Sequence, residues 1–141
     1  MATKADFTED EWSALQKGVT GAGMLVSVSD ADFTDSFGEA SAFAKFLGEQ
    51  HRTNDSELVR EIAGVHGHGF GLTASREKVE TETMAALRSA VTTLSAKAPD
   101  EVAPYRQLVL DLAQAVAEAK GGVTETETEV IDSVRGALES T

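Results

Sequence analysis

The sequence predicts an all-α fold, a compact domain of about six helices with an internal duplication of a helical hairpin. Three observations lead there. Apolar residues recur at three- and four-residue spacing along most of the chain, and helix-start and helix-stop residues punctuate that spacing. No segment of useful length alternates with the period of two that a strand requires.

The first helix is announced by Thr8-x-x-Glu11, a capping box in which a hydroxyl and a carboxylate satisfy backbone N–H groups left unpaired by the first turn. Phe7 and Trp12 flank it as a hydrophobic staple. Trp12, Leu15, Val19, Ala22 and Val26 then share one face, and the helix runs to about Ser29. Gly18, Gly21 and Gly23 lie inside it, each costing about 1 kcal/mol relative to Ala. Such a cost implies close approach by a neighbouring helix, the fourth or fifth, ahead of a small-molecule cleft. Lys17 at the same level is placed for a surface ion pair.

A second helix starts at Thr34 or Asp35 and carries Phe37, Ala40, Phe43, Ala44 and Leu47 on one stripe. A short third helix follows Asp55 or Ser56, with Leu58, Val59 and Ile62 inward. The stretch from Gly64 to Gly71 has Gly at every second or third position and reads as a loop. Thr73 caps a long fourth helix bearing Val79, Ala86, Leu87, Ala90, Val91 and Leu94. Pro99 and Pro104 mark the fifth start, because Pro is tolerated only in a first turn. Val102, Tyr105, Val109, Leu112, Val116 and Ala119 form its face, and Gly121-Gly122 ends it. A second capping box, Thr124-x-x-Glu127, opens the sixth helix with Val130, Ile131, Val134 and Leu138.

The chain also repeats. A shift of 90 residues lays Thr34 on Thr124, Glu39 on Glu129, Val26 on Val116 and Lys45 on Arg135. The apolar register follows, with Trp12 on Val102, Leu15 on Tyr105, Val19 on Val109 and Ala22 on Leu112. Helix faces recur every few residues, so some apolar matches are automatic; the paired turn, Thr and Glu positions are harder to produce by chance. Residues 1–141 read as one domain, with hairpin repeats at about 8–48 and 99–139 and residues 50–98 inserted between them.

The stretch Leu-Ala-Gln-Ala-Val-Ala-Glu-Ala-Lys-Gly-Gly-Val-Thr-Glu-Thr-Glu-Thr-Glu (112–129), with Ser-Asp-Ala-Asp-Phe-Thr-Asp (29–35) as its first copy, resembles the TerB-like family of tellurite-resistance and stress proteins. Those domains carry an Ala-rich helix, an Ala-Asp-Gly-type turn, then Ser or Thr and Glu opening the next helix. The resemblance covers both ends of the chain and not its middle, and Lys120 stands where an Asp would be expected. It implies a non-enzymatic helical module that presents acidic residues to divalent cations and works within larger stress assemblies.

Charge and composition narrow the function. The chain has 24 Asp plus Glu against 12 Lys plus Arg, a net charge of −12, and no Cys. Disulfides, thiolate nucleophiles and Cys-ligated metals are excluded. An acidic chain without a concentrated basic patch is repelled by nucleic acid and anionic membranes. The apolar fraction of 41% is too high for disorder. No export signal is recognisable, and the apolar-rich stretch from Ala22 to Val26 is far short of the roughly 20 residues that span a bilayer. A soluble, cytoplasmic protein with protein partners or self-association is the expectation.

Two ligand sets stand out. Asp30, Asp32 and Asp35, with Glu39 one turn further on, form an acidic turn suited to a hard divalent cation. It is not a calcium loop, because the sixth position is Asp35 and the twelfth Ser41. Helix capping by Asp32, Thr34 and Asp35 is the competing account. The second set is His66 and His68, with His51 nearby in sequence and Glu61 or Asp55 to complete a zinc-, nickel- or copper-type site in a small metalloenzyme or metal-binding protein. The competing account is a tight Gly-rich connection with His capping the preceding helix. A nucleophile elbow, a phosphate loop and His-Glu-x-x-His are all missing from the sequence, so no catalytic residue is assigned. Beyond a divalent cation no cofactor is expected. A ligand-free protein-interaction module is the third reading.

Overall fold

The computed structural model describes residues 3–29, 36–64, 76–118 and 125–139, with the side chains of 27–29, 36–43, 76 and 126–127 outside that description. Among the described residues six helices are present and no strand: α1 (Glu9–Ser29), α2 (Ser36–Thr53), α3 (Glu57–Ala63), α4 (Arg76–Lys97), α5 (Val102–Glu118) and α6 (Glu125–Glu139). A 3-10 turn at Lys4–Asp6 precedes α1, and another at Pro99–Glu101 leads into α5.

The signals read in the sequence act at the first boundary. The Thr8 backbone N–H donates to Glu11 Oε1 at 2.8 Å and the Glu11 N–H to Thr8 Oγ1 at 3.1 Å, so both halves of the box are made. Phe7 and Trp12 meet with ring centroids 6.2 Å apart. Ser56 caps α3 by accepting from the Val59 N–H at 3.2 Å. Its own hydroxyl donates to Glu101 Oε2 at 2.6 Å, tying that cap to the Pro99 turn.

α1 packs along α4 and α5 and touches α6, while α2 lies against α3 and α5. Buried apolar side chains from all six helices join one cluster. Leu15, Leu58, Leu87, Leu94, Leu112, Leu138 and Tyr105 are its largest fully enclosed members. Each such Leu contributes roughly 1.5–3 kcal/mol of transfer free energy. The periodic stripes of α1, α3, α4 and α6 are buried as read. Two details differ. Ala44, placed on the inward stripe of α2, is exposed, and α2 continues to Thr53, past the boundary near 48.

The three glycines of α1 are buried. A Cβ on Gly18 would run into the Tyr105 hydroxyl and stand 3.0 Å from Leu87 Cδ2; one on Gly21 would run into Thr83. The close neighbours are thus the fourth and fifth helices together. Lys17 reaches Glu82 on α4 at 3.1 Å, a half-exposed pair worth under about 1 kcal/mol.

Candidate functional site

The residues assigned to metal binding fall mainly where the structure gives no placement. Asp30, Asp32 and Asp35 lie in the connection between α1 and α2, outside the described residues. Glu39 sits in α2, its side chain undescribed. His66 and His68 also lie outside the described residues, in the connection between α3 and α4.

The side chains offered as completing the histidine set are placed, and they are engaged separately. His51, in the last turn of α2, holds its Nδ1 at 2.9 Å from the Arg60 carbonyl. A carbonyl only accepts, so Nδ1 carries the proton. The ring covers Gly64, where a Cβ would collide with it. His51, from α2, therefore satisfies a carbonyl at the C-terminal end of α3. Glu61 Oε2 accepts from the Lys4 backbone N–H at 2.9 Å, holding the N-terminal turn against α3. Among the described residues no group of three or more His, Asp or Glu is placed to hold a metal ion.

A groove of about 440 Å³ opens where the end of α2 and the start of α3 face α5. Its size falls within the roughly 300–1,000 Å³ of small-molecule sites. One wall is the α2–α3 junction, with Thr53 and Asp55; the other is α5, with Pro104, Gln107, Leu108 and Asp111. Asn54 bends the chain between the two helices: its side-chain carbonyl accepts from the Ser56 N–H at 2.9 Å, and its backbone carbonyl accepts from Arg60 at 2.6 Å. Gln107 donates to Asp111 Oδ1 at 2.6 Å, one turn along α5. Asp55 and Asp111 are exposed at the rim and Leu108 is buried beneath.

Sequence reasoning placed Asp55 as a possible start of the third helix and a spare metal ligand, and missed the groove. The available signal was Gln107 and Asp111, four apart on the polar side of α5; what faces them depends on how α2 ends, which no local pattern encodes.

Among the described residues no helix is long and apolar enough to cross a membrane. Comparison with known proteins returned no matching family model, no curated relative and no solved structure.

Proposed function

We propose that the chain is a non-enzymatic, TerB-like stress-associated module of the cytoplasm, built on a duplicated helical hairpin, that binds a divalent cation weakly at Asp30, Asp32, Asp35 and Glu39 and contacts protein partners. The observation that carries it is the 90-residue repeat of the sequence, which lays Thr34 on Thr124, Glu39 on Glu129 and Leu15 on Tyr105. The first helices of the two hairpins are also bonded directly, Tyr105 on Leu15.

The acidic turn of the first hairpin then has a simple task. A cation neutralises clustered carboxylates that repel one another, and the hairpin tightens. Binding to the native state raises the melting temperature by mass action. Calcium, magnesium, manganese and zinc are titrated while unfolding is followed, in the native sequence and in an Asp30→Asn, Asp32→Asn variant. The expected result is a rise with at least one ion that the variant loses. No shift with any ion at millimolar concentration overturns the reading.

A further inference from the structure

We infer that the groove between the α2–α3 junction and α5 binds a linear aliphatic polyamine, its ammonium groups taken by Asp55 and Asp111 and its methylenes laid along Pro104 and Leu108.

The hydrogen-bonding inventory of the groove selects a donor ligand. Thr53 spends its hydroxyl proton on the Glu49 carbonyl at 2.7 Å, and Ser56 spends its own on Glu101 at 2.6 Å. Asn54 gives an amide N–H to Gln50 Oε1 at 2.7 Å, and Gln107 gives one to Asp111. The N–H groups left over, two on Gln50 and one each on Asn54 and Gln107, are neutral, and the charged capacity that is left is all acceptor: the Asp55 carboxylate and the second oxygen of Asp111, with Gln107 Oε1 and the remaining lone pairs of the two hydroxyls beside them. A ligand that supplies protons and positive charge completes this set, whereas an anion meets two carboxylates and finds no Lys or Arg on the walls.

Charge alone would also admit a metal ion. Hard cations require several oxygens converging on one point, and no group of three acidic or histidine ligands is so placed among the described residues. Asp55 and Asp111 instead belong to different walls, and Pro104 and Leu108 line the α5 side of the groove. Separated charges joined by methylene are the chemistry of a polyamine. The net charge of −12 attracts such a ligand from a distance.

Calorimetric titration with spermidine, at about 0.15 M salt to screen diffuse attraction, tests the assignment. Three proteins are compared: the native chain, Asp55→Asn with Asp111→Asn, and Glu129→Gln with Asp132→Asn on α6, which changes the charge equally far from the groove. Two exposed ion pairs correspond to a weakening of about five- to tenfold in the groove variant, with the α6 variant within about twofold of native. Equal loss in both variants, or no binding to the native chain, overturns the proposal. A measurement on the native chain alone stands beside these: spermidine shifts backbone amide resonances of 50–56 and 105–111, and shifts confined to other segments overturn it as well.

Discussion

The Tyr105 hydroxyl donates a hydrogen bond of 2.7 Å to the backbone carbonyl of Leu15, joining α5 to α1 in the buried core. These are two positions that a shift of 90 residues lays on each other. Both side chains are wholly enclosed, and the hydroxyl sits over the spot where Gly18 lacks a Cβ. The missing side chain in α1 and the phenol in α5 are one packing arrangement.

Gly18→Ala tests that arrangement. Helix propensity alone favours Ala by about 1 kcal/mol, but overpacking against Tyr105 and Leu87 costs about 1–3 kcal/mol. Net destabilisation is expected in chemical denaturation. Tyr105→Phe alone loses about 1 kcal/mol of hydrogen bonding. Because it removes the atom nearest the new methyl, the double variant is more stable than the sum of the single effects. Strict additivity in this cycle would place Gly18 and Tyr105 out of contact.

Burial pushes the Tyr105 phenol far above the ordinary tyrosine range. The sign follows from linkage: a folded-state value raised above the unfolded one gives stability that is complete below about pH 10 and lost as the pH rises beyond it. The chain has a single Tyr, so tyrosinate absorbance reports this group alone. Ionisation is expected together with the loss of helical circular dichroism. A phenol that titrates near pH 10 while the helices persist would contradict its enclosure.

The helices were legible because their causes are local. Thr8, Glu11, Ser56 and Pro99 each act within a few residues, and the stripes through Leu15, Leu87 and Val134 follow from helical period. The glycines of α1 announced close approach, though not the particular atoms of Tyr105 and Thr83, which come from distant parts of the chain. Ala44 was misplaced because a small residue at a stripe's edge carries little pattern of its own. The groove was invisible for a different reason. Asp55 and Asp111 are ordinary polar positions on their own elements, and only the packing of α2 on α5 makes them two walls.

Thr83 supplies a stability prediction of the opposite sign. Its hydroxyl is fully buried on α4 against Gly21 and has no hydrogen-bond partner among the described residues. An unsatisfied buried hydroxyl costs about 1–3 kcal/mol. Thr83→Val keeps the branched shape and removes the polar atom, so stability should rise by about 1 kcal/mol, read as a higher denaturation midpoint with unchanged slope. A lower midpoint would mean that the added methyl crowds the Gly21 backbone more than the hydroxyl was costing.

Acid sensitivity is expected to begin at the start of α1. Glu11 Oε1 accepts from Lys97 Nζ at 2.6 Å and from the Thr8 N–H at 2.8 Å. The Lys97 hydrogen bond, then the backbone bond at Thr8, hold the carboxyl below its usual range. A depressed folded-state value gives stability that is present above the unfolded-state value and is lost as the pH falls through the folded one. Lys97 also donates to the Asp6 carbonyl at 3.2 Å and stands 5.8 Å from the Phe7 ring, so its loss loosens the N-terminal turn as well. Lys97→Met keeps a flexible apolar stem over Phe7 but removes the charge and the donor. In that variant the Glu11 carboxyl, followed by its side-chain carbon resonance, should titrate closer to the ordinary value, and the acid limb of the stability curve should flatten. If instead Glu11 titrates identically in both proteins, the Thr8 backbone bond alone sets its acidity, and Lys97 serves only to hold the turn.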